Sequence, residues 1–424
     1  MIALVALSLF GALFAGLPVL YDTDSYFHLA IARVYATVGV VDELPWARYS
    51  LLREGFGDKE FLFHALTAPF AAVWSGPEST AGRWALAFWN ALIVGGLAAF
   101  GRLAAGRWGL ALPLLVYLGS LDFLGRSIRL RPELFALVLV LAATWCVGRG
   151  RFRTLGLVTF VFALSYTAIH ALLGLCGLWF LHGGLVRQSW RWPLVAYPTL
   201  GALLGLWVHP HFPHNLVVWK VQSLDFFVHK SSLDVGTEIG SHQPGELLGL
   251  NLAVLIALGA VWASRRARSE EPPADSSSMA DAVGVAALVW CGLYALMLRF
   301  STYAVPFLAL AVLFELRRRN LEPSAWIRLP GTARRLPLAL ALAAALLLGG
   351  WRSASLLTGL AGARGEELGR EQDWARFGRS LPAGARVAAE WGAAHLYLWF
   401  APQALYLNVL DPVFMAVHSP EEHE

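Results

Sequence analysis

The stretch Tyr21–Arg33, YDTDSYFHLAIAR, directly follows the first hydrophobic segment of the chain, residues 2–20. Two carboxylates, Asp22 and Asp24, are therefore expected at a membrane surface. The apolar spacing over residues 25–38 predicts a short amphipathic helix, and either aspartate can cap its N-terminus. An Asp-x-Asp pair also offers oxygen ligands for Mg²⁺ or Mn²⁺. Taken alone, the pair is best interpreted as one aspartate that caps the helix and one that is solvated. Other charged residues expected on the same membrane face favour a functional site instead.

The composition is that of a polytopic membrane protein. Of 424 residues, 57% are hydrophobic and 15% charged, and the mean hydropathy is +0.56. The three cysteines, Cys146, Cys176 and Cys291, all lie in apolar segments, so we interpret them as small core residues and not as a disulfide or metal framework. The first segment has no basic flank or clear cleavage site, so we expect a retained signal-anchor. A nucleic-acid partner is not expected.

The hydrophobic runs predict an all-α membrane domain of about eleven spanning helices, since about 20 apolar residues cross a bilayer. A further apolar segment, Phe61–Trp74, is short and contains Pro69, so it is either a surface helix or a partial twelfth span. The predicted spans are 2–20, 84–104, 108–124, 133–148, 154–169, 171–186, 193–209, 247–264, 280–298, 302–316 and 335–351.

The positions of the arginines predict how the chain is oriented in the membrane. Sixteen of them lie in loops that eleven helices would place on one side, and the positive-inside rule makes that side the cytoplasm. The opposite, extracytoplasmic side receives loop 21–83, which has five basic and eight acidic residues. A bacterial inner membrane is the expected location. The arginine-bearing loops are 102–107, 149–153, 187–191, 265–268 and 317–335.

The chain divides into a transmembrane domain, 1–351, with surface helices in loop 21–83, and a short external region, 352–424. In the external region the pattern predicts a helix at Glu366–Leu381. It also predicts short strands at Arg386–Ala389 and Ala404–Val409, and these flank the Trp391–Phe400 element. We therefore expect a small α/β unit that packs on the outer face of the membrane domain.

Unusual ionisable residues gather on that outer face, where charge at a membrane edge marks function by default. In GDKEFLFH, residues 57–64, Lys59 can contact a phosphate, and Glu60 and His64 share a helix face at i, i+4. A solvated helix start is the equally weighted alternative. We include Lys59 and His64 among the candidate substrate-binding residues.

Three arginines, Arg126, Arg129 and Arg131, lie on the outer side against the positive-inside bias. Paired guanidinium donors at headgroup level can bind phosphate, and snorkelling to lipid headgroups is the alternative. Glu133 follows in the first turn of the next helix, where the helix dipole favours a carboxylate.

Two further groups complete the outer face. In HPHFPH, residues 209–214, His209 and His211 are predicted to hydrogen-bond phosphate or sugar; a structural zinc site or a plain interfacial turn are the alternatives. Arg299 and Tyr303 lie where two apolar helices meet, and a single arginine there suits a lipid-linked phosphate or a snorkelling side chain.

The stretch Asp22–His28 resembles the first external loop of the GT-C superfamily, the membrane glycosyltransferases that use polyprenyl-phosphate or polyprenyl-diphosphate sugars. The likeness is strongest to the catalytic subunit of oligosaccharyltransferase. In that subunit a Ser-Val-Ser-Glu motif precedes a helix and runs into His-Gln-Pro in eukaryotic forms; here Glu238 precedes His242-Gln243-Pro244. The resemblance implies a GT-C-like bundle and a divalent cation. Glu133 and Glu238 are the implied metal ligands beside Asp22 and Asp24.

The resemblance has limits that bear on the acceptor. Where the family carries Trp-Trp-Asp, which reads the acceptor sequon, this chain has Glu390-Trp391-Gly392. We therefore interpret the protein as a bacterial GT-C protein of unassigned specificity.

These features predict an inverting, metal-dependent transferase that moves a sugar or glycan from a polyprenyl-phosphate donor to a protein, lipid or glycan acceptor. Asp24, or else Asp22, acts as the general base on the acceptor, and the arginines hold the phosphate. A transporter or flippase for lipid-linked glycans is the main alternative, and a non-catalytic binder of such glycans is the second. The predicted helices are apolar at their centres with charge at their ends, which favours the enzyme.

Overall fold

The computed structural model describes residues 20–74, 79–229, 240–263, 277–318, 336–362, 364–407, 412–419 and 421. Within these ranges the chain is nearly all-α. The helices, in chain order, are α1 (Thr23–Thr37), α2 (Phe61–Val73), α3 (Thr80–Ala105), α4 (Leu112–Gly119), α5 (Leu121–Ser127), α6 (Glu133–Gly148), α7 (Phe152–Ala163), α8 (Ile169–Leu185), α9 (Pro193–Val208), α10 (His214–Lys220), α11 (Phe226–His229), α12 (Pro244–Leu250), α13 (Leu252–Ala263), α14 (Ser277–Leu296), α15 (Ser301–Arg318), α16 (Leu336–Gly362), α17 (Arg364–Ser380), α18 (Trp391–Phe400) and α19 (Val413–His418). Short 3-10 turns lie at Leu51–Arg53, Gly106–Ala111 and Leu298–Phe300, and a π turn at Val221–Asp225.

Four helical runs in the described ranges are long and apolar enough to cross a membrane, or five if the bent pair α12–α13 is one span. The multi-pass class is therefore supported, whereas the predicted count of eleven is not confirmed. The first predicted span, 2–20, lies outside the described residues. Most other predicted spans do coincide with helices, but five apolar helices, α2 and α6 to α9, have only 10–17 residues.

The predicted span 108–124 is broken, and Ser120 supplies the physical reason. Ser120 is extended, with φ −144° and ψ 121°, and its hydroxyl accepts the Phe123 N–H at 3.1 Å, which starts α5. The same hydroxyl donates to Asn251 Oδ1 at 2.6 Å. Asn251 ends α12, where the chain turns by 83° into α13. Two helix breaks therefore meet and satisfy each other's polar groups.

Small residues bring α7 and α9 into close contact. A Cβ on Gly201 would lie 2.0 Å from the carbonyl oxygen of Gly156, and one on Gly205 would lie 2.7 Å from that of Phe160. Only glycine leaves room for this approach, as is usual where apolar helices pack in a membrane. His209 and His211 directly follow the C-terminal end of α9.

The chain's last described segments pack on α1. Arg33 on α1 lies over the Trp399 ring, 4.0 Å from its centroid, and donates to the Trp399 carbonyl at 2.8 Å. The strands β1 (Arg386–Val387) and β2 (Leu405–Tyr406) pair in parallel. The Tyr406 N–H also donates to the Trp46 carbonyl at 2.8 Å. The predicted helix at 366–381 and the Trp391–Phe400 element are both present, and this packing places α18 against the acidic start of α1.

Candidate active site

The acidic stretch forms the first turn of α1. Asp22 occupies the N-cap position and accepts the Ser25 N–H at 3.3 Å. The prediction that one aspartate caps this helix is therefore confirmed. Asp24 and His28 lie one helical turn apart, so their side chains share a face of α1.

Arg131 bridges the two aspartates. Its Nε lies 2.6 Å from Asp22 Oδ2, and its Nη2 lies 2.8 Å from Asp24 Oδ2. From the opposite side, His395 Nδ1 of α18 lies 3.0 Å from Asp24 Oδ1. Burial alone would raise the pKa of Asp24, but Arg131 and the hydrogen bond with His395 hold it well below its usual range. Asp24 is therefore ionised at neutral pH.

A second cluster lies on the same side of α1. The ligand atoms of His28, Glu60 and His64 all lie within 4.8 Å of one another, and all three residues are buried. His28 Nδ1 is 2.9 Å from His64 Nε2 and 3.7 Å from Glu60 Oε2. Burial, and secondarily His64, lowers the pKa of His28 well below its ordinary value. A neutral imidazole is the form that binds metal.

Asp58 orients His64 within this cluster. Asp58 Oδ2 lies 2.8 Å from His64 Nδ1 and accepts the Tyr35 hydroxyl at 2.6 Å. Burial would raise the pKa of Asp58, but His64 holds it far below its usual range. A carboxylate at Nδ1 fixes the proton there and leaves the His64 Nε2 lone pair facing His28. A carboxylate–histidine pair of this kind commonly supports a metal-binding imidazole.

The donor set of this cluster fits a divalent cation. Two imidazoles and one carboxylate suit zinc, and ligands about 2 Å from a tetrahedral ion lie about 3.3 Å apart, so only small side-chain adjustments are needed. Within the described ranges no other group of three such side chains meets the same spacing. We therefore regard His28, Glu60 and His64 as a candidate metal centre.

The predicted phosphate-binding side adjoins this centre. Lys59 Nζ contacts Gln222 and lies 3.8 Å from Glu60 Oε1. Lys59 and His209 line one small cavity together with Tyr166. Arg299 donates to the Tyr166 hydroxyl at 3.3 Å. Three predicted substrate-binding residues are thus brought together by a tyrosine that the sequence did not single out.

Besides burial, two acidic residues, Glu133 and Glu60, raise the pKa of the Tyr166 hydroxyl. Burial raises the pKa of its hydroxyl, Arg299 opposes the rise, and both Glu133 and Glu60 add to it. Glu133 therefore lies in the same electrostatic neighbourhood as the candidate metal centre. Its carboxylate is paired with Arg126, however, with Nη1 3.2 Å from Oε1 and both side chains buried.

The remaining predicted residues are more dispersed. His211 Nε2 lies 3.0 Å from the Tyr35 hydroxyl, which ties it to Asp58. Arg129 lies over the Tyr21 ring, 5.7 Å from its centroid. Tyr303 is buried and stacks on Trp290, with ring centroids 4.6 Å apart. Glu238 lies outside the described residues.

Sequence reasoning missed four functional candidates: His28 and Glu60 as ligands, Tyr166, and His395. The signal for the first two was present, since Glu60 and His64 have i, i+4 spacing and His28 follows Asp24 by one turn. No local pattern pointed to Tyr166 or His395. Both reach the site from segments distant in sequence.

The helical bundle of the described residues has a GT-C-like fold, as solved structures show. No family model matches the sequence, and no curated protein matches it. The fold class rests on solved structures.

One similar structure is ArnT from Cupriavidus metallidurans bound to undecaprenyl phosphate. It superposes with a TM-score of 0.62 at 15% identity, over 99% of this chain and 88% of that chain. The Archaeoglobus fulgidus oligosaccharyltransferase AglB, in complex with an inhibitory peptide and a dolichol-phosphate, gives 0.60 at 11% identity over 96% of this chain. An oligosaccharyltransferase from Archaeoglobus fulgidus in a complex with Zn and sulfate gives 0.59 at 12% identity, again over 96% of this chain.

This chain covers 64% and 62% of the two archaeal chains, so it spans less than two thirds of their length. At these identities the likeness establishes the fold alone.

Proposed function

We propose that this protein is an inverting glycosyltransferase that moves a sugar or glycan from a polyprenyl-phosphate-linked donor to an acceptor on the extracytoplasmic face of the membrane. One observation carries the proposal. The ionised Asp24, paired with Arg131, lies one helical turn from His28 of the buried His/Glu cluster, and Lys59 Nζ lies 3.8 Å from Glu60 Oε1 of the same cluster. A base, a cation site and a phosphate ligand are thus adjacent, as the reaction requires.

The chemistry follows from these positions. The bond between the anomeric carbon and the donor phosphate oxygen breaks, and a bond to the acceptor oxygen or nitrogen forms on the opposite face of the sugar. Asp24 takes the acceptor proton, and Arg131 and His395 hold its carboxylate in place. Lys59, with Arg299 acting through Tyr166, stabilises the negative charge that develops on the leaving phosphate. Phosphate leaves as an anion, so no general acid is needed.

A divalent cation at His28, Glu60 and His64 would add Lewis-acid neutralisation of the phosphate charge. The two imidazoles favour Zn²⁺ over Mg²⁺ at this triad. The alternative ligand set of Asp22, Asp24, Glu133 and Glu238, with Mg²⁺ or Mn²⁺, stays a prediction. Three of those carboxylates already form ion pairs, Asp22 and Asp24 with Arg131 and Glu133 with Arg126.

The structural neighbours support the substrate class. ArnT is bound to undecaprenyl phosphate, and AglB is in a complex with a dolichol-phosphate. Both are polyprenyl phosphates, and this chain shares the fold that holds them. We extend that ligand class to this protein; the sugar and the acceptor are left to experiment.

The test is a transfer assay on the full chain in lipid nanodiscs with a panel of polyprenyl-phosphate sugars and mixed acceptors. Wild type is expected to transfer at least one sugar, to lose activity on chelation and to regain it with one divalent cation. Glu60→Gln should lose both bound metal and transfer, whereas Asp373→Asn, an exposed carboxylate on α17 paired with Arg376, should lose neither.

Metal analysis separates the parts of the proposal. Transfer that survives complete metal removal would refute the metal role but not the transferase. Movement of intact lipid-linked sugar across the bilayer without any transfer would favour the flippase.

A further inference from the structure

A polar groove lies at the end of the bundle opposite the candidate active site. The helix α6 begins at Glu133 beside the site and ends at Gly148, and Val147 in its last turn lines the groove. Sixteen helical residues span about 24 Å, so the groove is a separate feature. Its cavity measures about 220 Å³. It is lined by residues of five helices, α6, α7, α8, α9 and α14, and by the turn between α8 and α9.

The turn is a fixed structure. Trp190 packs face-on against Gly184, where a Cβ would lie 2.3 Å from the indole ring. The Ser189 N–H donates to the Gly183 carbonyl at 2.8 Å, and Gln188 adopts a φ of +51° to close the turn. Glycine at 184 therefore allows the tryptophan to hold the turn against the end of α8.

This turn presents two guanidinium groups to the groove. Arg187 forms a two-bond ion pair with Asp281 of α14, with its Nε 2.7 Å and its Nη2 2.8 Å from the carboxylate oxygens. The Nε of Arg191 donates to the Ser189 hydroxyl at 3.3 Å, and no carboxylate of the described ranges lies within ion-pair distance of Arg191. Two arginines and one aspartate line the groove, so these three side chains carry a net charge of +1.

The rim of the groove is apolar and aromatic. Trp190 and Trp192 are 50% and 67% exposed, and both pack on the Phe180 ring with centroids 5.1 and 4.8 Å away. Leu185 and Val186 beside them are 65% and 63% exposed. Exposed tryptophans next to arginines at the ends of apolar helices mark the membrane–water interface.

We propose that this groove binds the phosphate of an anionic glycerophospholipid in the leaflet opposite the candidate active site. Arg191 and Ser189 contact the phosphate, and Arg187, held by Asp281, adds a second guanidinium at its edge. The lipid's acyl chains lie along the exposed apolar surface at Leu185 and Val186. Basic pockets between membrane helices on the arginine-rich side favour such headgroups. A zwitterionic lipid gains less, because its own amine competes for the phosphate.

The test is native mass spectrometry of the purified full chain in detergent, titrated with phosphatidylglycerol, phosphatidylcholine or glycerol 3-phosphate. Wild type should retain phosphatidylglycerol at least ~10-fold more strongly than phosphatidylcholine. Arg191→Gln should reduce that retention about tenfold, because a charged hydrogen bond is lost. Arg102→Gln, which changes an exposed arginine elsewhere on the arginine-rich side, is the matched control and should leave it unchanged.

The Arg191 side chain is exposed and forms no ion pair with a described residue, so the thermal unfolding of Arg191→Gln should match that of wild type. The double variant Arg187→Gln/Arg191→Gln should retain phosphatidylglycerol still more weakly. Equal retention in Arg191→Gln and Arg102→Gln overturns the proposal, as does an absence of preference for the anionic lipid. Tighter binding of glycerol 3-phosphate than of the lipid also overturns it, because the ligand would then be a soluble phosphate.

Discussion

Two carboxylates of the candidate active site, Asp24 and Glu60, differ in what surrounds them. Asp24 lies 2.8 Å from a guanidinium and 3.0 Å from the His395 ring. Glu60 lies 3.7 Å from the His28 ring and 3.8 Å from the Lys59 ammonium, which is longer than a hydrogen bond. Asp24 is thus held by an arginine and a histidine, whereas Glu60 lies beside imidazoles that are candidate metal ligands.

The same functional group, a side-chain carboxylate, is therefore suited to two kinds of chemistry in this site. A carboxylate fixed by an arginine is ionised at neutral pH and held in one orientation, so it can meet an acceptor proton from one direction, although its low pKa makes it a weak base. A carboxylate grouped with two imidazoles has the ligand set of a cation site. Substitutions at each carboxylate separate these two roles.

The largest expected effect is that of Asp24→Asn on turnover. The amide keeps the shape of the side chain but cannot accept the acceptor's proton, so turnover should fall at least ~100-fold. The bound metal should be unchanged. The measurement is single-turnover sugar transfer with metal content determined on the same sample.

Asp24→Glu is the companion variant, because it restores the base one methylene further out and should recover part of the lost rate. If Asp24→Asn instead lost its metal along with its activity, Asp24 would be a ligand and the separation of the two carboxylates would be wrong.

A smaller effect is expected from Asp58→Asn, which acts on the other carboxylate group through His64. The amide cannot fix the His64 proton as a carboxylate does, so metal affinity should weaken by about 10–100-fold. Transfer should fall at limiting metal and recover at excess metal. Calorimetric titration with Zn²⁺ measures the affinity, with Asp373→Asn as the reference. An unchanged Zn²⁺ affinity would mean that Asp58 does not support the candidate metal centre.

The sequence predicted the parts of the site that are local. The Asp-x-Asp stretch gave the helix cap at Asp22, and α6 has its predicted bounds at 133–148. Of the three arginines predicted on the outer side, Arg131 contacts the acidic stretch of the candidate site. Arg131, however, was predicted to bind substrate phosphate, and in the structure it bridges Asp22 and Asp24. Sequence spacing can identify charged residues at a membrane edge, but it does not show which of them form ion pairs with each other.

The parts that were missed depend on tertiary contacts. His395 reaches Asp24 only because Arg33 and Tyr406 attach the last segments to α1 and its following loop. Tyr166 joins Arg299 to the site from the turn between α7 and α8. The predicted span 108–124 failed for a related reason, since its break at Ser120 is satisfied by Asn251, far along the chain.

Acid should destabilise the protein in two steps. Burial lowers the pKa of His28 and lowers that of His209 to about 4, so the unfolded chain takes up their protons first as pH falls through about 6.5. The lowered pKa values of Asp24 and Asp58 add stability that is present above about pH 4 and lost below it.

Thermal unfolding measured from pH 7.5 to 3 should therefore show a falling midpoint throughout, by a few degrees in each step. Asp24→Asn should flatten only the lower step. A midpoint that rose on acidification would contradict the assignment of these carboxylates as ionised and paired.

The smallest effect is expected from Asp22→Asn, which shares a helical turn with Asp24 and so makes the sharpest contrast with it. Asparagine caps a helix about as well as aspartate, so the bond to the Ser25 N–H is retained and α1 should lose only a few tenths of a kcal/mol. The contact with Arg131 weakens, but the guanidinium keeps Asp24 as a partner. Turnover should therefore fall less than ~10-fold.

Asp22→Ala, which removes the cap as well, should cost about 1 kcal/mol of stability with no further loss of rate once corrected for folded protein. Transfer rates and unfolding midpoints of the three proteins measure both effects. A loss of rate in Asp22→Asn as large as in Asp24→Asn would mean that the two aspartates act as one unit, and the distinction between cap and base would have to be abandoned.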